Sequence, residues 1–319
     1  MVVSSKNIQI LRGLAIIAVV LIHNTPVGLA QVMCRPFLNF CVGLFLFMSA
    51  MLSSADKWNP WKRIWKVIVP YTLWTIIYVA MANIAHPADI PATFLKNLLT
   101  AKSAAPMYYV FVYCEFTLLI PIVDKLARSK YNYIGFLISP IEIIIMRLIP
   151  LITGMEINAY IRLVMGVSCL GWFTYYYLGY MLGNNIIEVK VPNRQLIILL
   201  AASIIIQMIE GYLYYIMGES NCGTQLKLSS ILTGSIFVQL AYRFVYSSKE
   251  YNFKILKLIG DNSFGIYFSH IAVMCVLGCV PYYWKVVYPI NVVIIIIVDL
   301  VCITICKRML GEYSKYLAL

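Results

Sequence analysis

Residues 7–24 of the chain, NIQILRGLAIIAVVLIHN, form an apolar stretch that is long enough to cross a membrane as a helix, yet they contain Arg12 and His23. The spacing of eleven positions is almost three whole helical turns, so both side chains lie on one face, about 16 Å apart along the axis. Ionisable groups are costly inside a bilayer and usually face a polar cavity or a partner. The stretch therefore predicts a membrane helix with a functional stripe. The alternative is that His23 only satisfies a carbonyl of a neighbouring helix.

The composition of the whole chain places it among membrane proteins. Of its 319 residues, 62% are hydrophobic and only 12% are charged, whereas soluble domains are about half apolar and about a quarter charged. Apolar runs of about 20 residues recur along the chain, each long enough to cross a hydrocarbon core of about 30 Å. We predict an all-α, polytopic protein in which residues 1–319 form a single integral-membrane domain. The first run lacks a small-residue cleavage site and is expected to stay as an anchor.

Ten membrane spans are predicted from these apolar runs. They cover residues 8–26, 37–55, 64–85, 107–126, 133–152, 158–183, 195–217, 228–247, 262–281 and 286–306. If the N-terminus is inside, 18 of the 25 Lys and Arg residues fall on the inner side, as the positive-inside rule requires. Both termini are therefore expected in the cytoplasm. The formal charge of +12 is explained by this topology, and no nucleic-acid partner is predicted.

Three cations, Lys62, Arg63 and Lys66, stand at the inner entrance to the third predicted span. Arg63 and Lys66 are three positions apart and share a helix face. One interpretation is anchoring by the positive-inside rule. The other is a clamp for a polyphosphate ligand, since paired cations bind phosphate groups well.

Glu115 is an acid well inside the fourth predicted span, so it must be neutralised or paired. Two roles fit it equally well. It can hold the tautomer of His23, or it can form an ion pair with Arg147 or Arg162.

The ninth predicted span contains the second intramembrane histidine, His270. Ser263, Tyr267 and His270 follow the spacing i, i+4, i+7, which places them on one polar stripe of an otherwise apolar helix. In the tenth span, Asp299 stands alone among Val and Ile and is expected to pair with a cation of another helix.

The nine cysteines are scattered along the chain, most of them inside predicted spans, where cysteine behaves as a small apolar residue. Cys302 and Cys306 are four positions apart, but no His or acidic residue accompanies them. Zinc needs three or four converging ligands, so we predict no metal site and no disulfide.

Six short motifs follow one another along most of the chain. They are Arg12 and His23 with ten residues between them, the run Phe45–Ala50, Arg63-x-x-Lys66, Pro70-Tyr71-x-x-Trp74, Tyr177–Gly183 and Gly260–His270. This ordered set resembles that of the integral-membrane acyltransferases of acyltransferase family three. Two positions depart from the family pattern: Ala50 replaces a glycine, and Lys66 replaces an arginine and lacks its bidentate fork.

This resemblance implies transfer of an acyl group, usually acetyl from acetyl-coenzyme A, to a hydroxyl of a surface glycan or of its lipid-linked precursor. Chains without an additional soluble domain resemble the O-acetyltransferases of O-antigen or capsule, in the bacterial inner membrane, where an oligomer is also compatible. Among the motif residues, His23 and His270 are the catalytic candidates, and Arg12, Arg63, Lys66 and Tyr71 are the candidates for binding the donor. Two residues outside the motifs are added because of their own chemistry: Glu115, which can hold the tautomer of His23, as a catalytic residue, and Lys62, a cation beside Arg63, as a donor-binding residue.

Two other classes of protein fit parts of the pattern. Secondary transporters also have about ten spans, broken helices and buried charges, although no internal repeat relates the two halves of this chain. A non-catalytic membrane scaffold gains nothing from buried ionisable residues. Dependence on acetyl-coenzyme A separates the acyltransferase from both alternatives.

Overall fold

The computed structural model describes residues 4–249 and 251–319, with the side chain of Trp284 left out. The described residues are all-helical, as predicted, and contain no strand. The α-helices are α1 Ser5–Asn24, α2 Leu29–Cys34, α3 Cys41–Met51, α4 Pro60–Ala82, α5 Ile90–Thr100, α6 Tyr108–Ala127, α7 Ile134–Ile143, α8 Ile149–Thr153, α9 Ala159–Val167, α10 Phe173–Gly183, α11 Asn193–Ile216, α12 Leu228–Val245, α13 Lys254–Asp261, α14 Ser263–Gly278 and α15 Ile290–Leu310.

Seven helical segments within the described residues are long and apolar enough to span a membrane. A short π-helix, Ile144–Leu148, joins α7 to α8 within one of them. The segments are Ser5–Asn24, Leu29–Met51, Pro60–Ala82, Ile134–Thr153, Asn193–Ile216, Leu228–Val245 and Ile290–Leu317. The number of ten spans and the cytoplasmic location of the termini stay predictions.

The three other predicted spans differ from a simple apolar helix. The segment 158–183 is divided into α9, a 3-10 turn at Leu170–Trp172 and α10. One reason for the division is that the backbone N–H of Cys169 donates to the carboxylate of Glu115 at 2.6 Å instead of to a helical carbonyl. The ninth predicted span corresponds to α14, which has only 16 residues, and the fourth corresponds to α6, which carries Glu115, Asp124 and Lys125.

The connection between the third and fourth predicted spans, 64–85 and 107–126, contains a helix, α5. Pro91 occupies its first turn, where a missing N–H costs nothing, and Ala101 ends it in a left-handed conformation with φ 54°. The hydroxyl of Tyr71 donates to the carbonyl of Leu98 at 2.7 Å and so ties α4 to the end of α5.

The chain forms two compact units. Unit 1 comprises Met1–Trp58, Leu119–Arg162 and Leu170–Gly260, and unit 2 comprises Asn59–Leu118, Leu163–Cys169 and Asp261–Leu319. Each unit combines three segments that are distant in sequence, so neither unit is a continuous stretch of the chain.

In unit 1, α10 packs closely against α3 through two glycines. A Cβ atom added to Gly179 would collide with the backbone carbonyl of Phe47, and one added to Gly183 would collide with that of Met51. Glycines four residues apart let two helix backbones approach, the arrangement that membrane helices use when no hydrophobic effect drives them together.

The tyrosines of α10 belong to the core of unit 1, neither to an interfacial belt nor to an open cavity. Tyr175, Tyr177 and Tyr180 are fully buried. Their hydroxyls donate to protein oxygens, at 2.8 Å in each case: the carbonyls of Ser230 and Asn132 and the carboxylate of Asp124, respectively. Buried hydroxyls that are satisfied in this way stabilise one arrangement of the surrounding helices.

In unit 2, α14 contacts α4 and α15. The hydroxyl of Tyr78 on α4 donates to the carbonyl of Phe268 at 2.6 Å. The ring of Trp74 stacks on that of Phe268, and its indole N–H donates to the carbonyl of Leu317 at 3.0 Å. These contacts fix the helix that carries His270.

Candidate functional site

His23 lies in the last turn of α1, in unit 1. The helix begins at the N-cap Ser4, whose hydroxyl accepts from the N–H of Asn7 at 3.3 Å, and it ends when Thr25 turns its hydroxyl to the carbonyl of Leu21 at 2.8 Å. His23 and Arg12 are both half-buried, and most of the rest of the helix is buried. The two side chains singled out from the sequence are thus among the accessible ones of α1.

Arg35 holds the turn of α1 that carries His23. Its Nη2 donates to the carbonyl of Ile22 at 3.2 Å, and its Nη1 donates to the Oδ1 of Asn221 at 2.8 Å. The guanidinium therefore joins the end of α1 to the segment between α11 and α12. Sequence reasoning missed Arg35, because its partner Asn221 is 186 positions away along the chain.

Lys227 is a completely buried lysine close to this segment. Its amine donates to the carbonyls of Cys222 at 3.2 Å and Gln207 at 3.4 Å. Burial lowers the pKa of Lys227 from 10.5 to about 8, although the nearby carboxylate of Glu210 favours the charged amine. Glu210 itself accepts from the backbone N–H of Ser229 at 2.9 Å.

Arg35, Glu210 and Lys227 form a polar cluster. Two residues that contact it, Gln207 and Ser229, have buried side-chain oxygens without a hydrogen bond to any described residue. Within the described part of the chain, the Oε1 of Gln207 and the Oγ of Ser229 have no hydrogen-bond partner. An unsatisfied buried polar atom costs about 1–3 kcal/mol, and a bound water, ion or ligand is one way in which a protein satisfies such an atom. The cluster, together with the end of α1, is the strongest candidate for a polar site in unit 1.

Glu115 lies on α6, in unit 2, and is half-buried. Its Oε2 accepts from the backbone N–H of Cys169 at 2.6 Å, so one function of this carboxylate is to end α9. Its assignment as the partner of His23 stays a prediction.

His270 is completely buried on α14, in unit 2. Its Nδ1 lies 2.8 Å from the carbonyl of Ile266, one turn earlier, so in this arrangement Nδ1 carries the proton. Tyr267, on the same stripe, donates its hydroxyl to the carbonyl of Pro106. The stripe predicted from the sequence is therefore an inward-facing one, and the catalytic assignment of His270 stays a prediction.

The three cations predicted to bind the donor lie in the first turns of α4, in unit 2. Asn59 caps this helix by accepting from the N–H of Lys62 at 3.3 Å. Lys62 and Lys66 are exposed, and Arg63 is half-buried. Tyr71 lies farther along the same helix and is almost completely buried. The tryptophans of this region, Trp58, Trp61 and Trp65, are exposed, as residues of an interfacial belt should be.

No group of three or more His, Cys, Asp or Glu residues in the described part of the chain is close enough to hold a metal ion. All nine cysteines are free thiols.

A family model described as an acyltransferase domain matches residues 5–308, which is nearly the whole chain. Neither a curated protein nor a solved structure matches it.

Proposed function

Since the chain belongs to acyltransferase family 3, we propose that it is a membrane-embedded O-acetyltransferase that moves an acetyl group from cytoplasmic acetyl-coenzyme A to a hydroxyl of a surface glycan or of its lipid-linked precursor. The observation that carries the proposal is the family match over residues 5–308, a range that contains Arg12 and His23. The expected location is the bacterial inner membrane.

In this proposal His23 acts as the base. Its neutral imidazole takes the proton from the acceptor hydroxyl while the oxygen attacks the thioester carbonyl, and the imidazolium then returns a proton to the leaving thiolate of coenzyme A. The alternative chemistry, in which the imidazole first takes the acetyl group itself, uses the same residue. Either route needs a histidine that is accessible to both substrates, and the half-buried side chain at the end of α1 is compatible with this.

The donor is expected to bind at the basic start of α4. Coenzyme A is a polyanion, and the exposed side chains of Lys62 and Lys66 with the half-buried Arg63 offer it three cations within two helical turns. Arg12 and Tyr71 complete the donor-binding set that the family resemblance implies.

The acceptor is expected to bind at the polar cluster of Arg35, Glu210 and Lys227. A glycan presents hydroxyl groups that both donate and accept hydrogen bonds, and the cluster combines cationic donors with a carboxylate. The bond from Arg35 to the carbonyl of Ile22 places the cluster beside the turn that carries His23.

The proposal is tested by acetyl transfer itself. The purified protein in nanodiscs would be incubated with acetyl-coenzyme A labelled in the acetyl group and with a surface-glycan extract. We expect protein-dependent label in the glycan and release of free coenzyme A. Binding of neither substrate, with transport of a solute into vesicles in the absence of acetyl-coenzyme A, would contradict the proposal and favour a secondary transporter.

A further inference from the structure

Among the residues that the structure describes, Asp299 is the most completely buried acid. It lies on α15, within the segment Ile290–Leu317, which is the most hydrophobic of the seven candidate spans, and its side chain is completely buried. An ionised carboxylate in apolar surroundings is very costly, so such a group pairs with a cation or stays neutral.

No cation neutralises Asp299 among the described residues. Its carboxylate contacts the hydroxyl of Ser269 on α14 at 2.5 Å. The other titratable groups close to it are Tyr78 and Cys302, neither of which carries a positive charge. The expected ion pair with another helix is therefore wrong, and its place is taken by a hydroxyl.

The hydroxyl of Ser269 has two oxygen neighbours but only one proton to donate. Its Oγ lies 2.9 Å from the carbonyl of Gly265 and 2.5 Å from the Oδ1 of Asp299. A serine hydroxyl has one proton, and a carbonyl only accepts. If the proton of Ser269 is donated to Gly265, the short contact with Asp299 requires a proton on the carboxyl group.

The other neighbours supply no alternative donor. The hydroxyl of Tyr78 donates to the carbonyl of Phe268 at 2.6 Å and accepts from the N–H of Ala272 at 3.2 Å, so its proton is already used. The Oδ2 of Asp299 has no partner within the described residues, which a neutral carbonyl-like oxygen tolerates far better than a charged one.

We propose that Asp299 is an intramembrane proton-binding site: a neutral carboxylic acid that donates a hydrogen bond to Ser269 and thereby joins α15 to α14. In this arrangement the carboxyl group of Asp299 donates to the hydroxyl of Ser269, and that hydroxyl donates to the carbonyl of Gly265. Ser269 immediately precedes His270, so the protonated acid holds the turn that carries this histidine. The proposal does not depend on which substrate the enzyme acetylates.

The test is infrared spectroscopy of the protein in nanodiscs at neutral pH. A protonated carboxylic acid gives a C=O stretching band that moves to lower frequency in D2O. We expect Asp299→Asn to lose one such band, while Glu312→Gln, which removes an exposed acid, leaves it unchanged. An unchanged set of acid bands in Asp299→Asn, with loss of a carboxylate band instead, would overturn the proposal.

Ser269→Ala provides a second test, which can be used even if Asp299→Asn does not fold. It removes the acceptor of the proposed hydrogen bond but leaves the acid in place. We expect the acid band to persist and to move to higher frequency. A wild-type spectrum without any band that responds to Ser269→Ala would show that Asp299 is ionised.

Discussion

At the scale of single residues, the buried amine of Lys227 combines a cost with a structural function. It satisfies the carbonyls of Gln207 and Cys222, yet its burial disfavours the charged form. Because its partners come from α11 and from the segment that follows it, the amine fixes the position of that segment beside Glu210. A residue of this kind makes stability depend on pH.

Lys227 predicts a rise in stability between pH 8 and 10.5. The pKa of Lys227 is about 8 in the folded protein, and it takes the ordinary lysine value of 10.5 in the unfolded chain. In this interval the unfolded chain binds the additional proton, so the free energy of unfolding rises with pH, by about 3 kcal/mol at most. The measurement is the thermal unfolding midpoint of wild type and Lys227→Met in detergent at several pH values.

The difference between the two proteins isolates Lys227 from the other titrating groups. The unfolding midpoint of wild type should increase relative to that of Lys227→Met as the pH rises from 8. Lys102→Met removes an exposed lysine and keeps Lys227, so the difference between its midpoint and that of wild type should not change with pH. A wild-type to Lys227→Met difference that is constant with pH would show that the amine is not desolvated.

At the scale of helices, the contact between α3 and α10 has no space for a side chain at Gly179. Gly179→Ala should cost about 1–3 kcal/mol, because the added methyl group meets the backbone of Phe47, which cannot move independently. Gly166→Ala is the matched control: it lies in α9 with open space around its Cβ position and should be neutral or slightly stabilising. The measurement is the unfolding midpoint of each variant. Equal effects of both substitutions would contradict close packing at Gly179.

The start of α4 carries a prediction about the donor. Arg63→Ala and Lys66→Ala should each raise the Kd for acetyl-coenzyme A, by about tenfold for a loss of about 1.4 kcal/mol. The acceptor concentration that gives half-maximal activity should change much less. Equilibrium binding of the donor to the purified variants measures the first effect.

Lys96→Ala is the control for this prediction, because it removes an exposed cation of the same charge from α5. It should leave the Kd for acetyl-coenzyme A unchanged. If Lys96→Ala weakens donor binding as much as Arg63→Ala does, the effect is one of net charge, and the clamp interpretation fails.

At the scale of the whole molecule, the charge distribution predicts the orientation. If the ten predicted spans hold and the N-terminus is inside, 18 of the 25 Lys and Arg residues fall on the inner side, so both termini should lie in the cytoplasm. A green fluorescent protein fused after Leu319 should fluoresce in bacterial cells, and alkaline phosphatase fused at the same position should be inactive. The reverse pattern would place the C-terminus outside and would require an odd number of spans or an inverted topology.

The sequence was sufficient for features that depend on local pattern. The helix predicted from Asn7 extends from Ser5 to Asn24, because a long apolar run with a capping serine specifies its own conformation. The membrane class and the acyltransferase family were likewise predicted correctly, since composition and ordered motifs are properties of the chain itself.

Features that depend on distant partners could not be predicted. The bond between Arg35 and Asn221 joins residues 186 positions apart, and Asp299 was expected to meet a cation and meets Ser269. The helix α5 was not predicted because it is short and has Pro91 in its first turn, and proline is typical of loops and turns. In each case tertiary packing supplies the information that the local pattern lacks.

The central claim is that His23 carries out acetyl transfer. The most direct measurement compares the initial rate of glycan-stimulated coenzyme A release by wild type, His23→Ala and His86→Ala in nanodiscs. His86 is an exposed histidine of the segment before α5 and provides the matched control. We predict a loss of at least about a hundredfold for His23→Ala, the lower range of acid–base catalysis, with an unchanged unfolding midpoint, and wild-type turnover for His86→Ala. Full turnover by a folded His23→Ala protein would contradict the account.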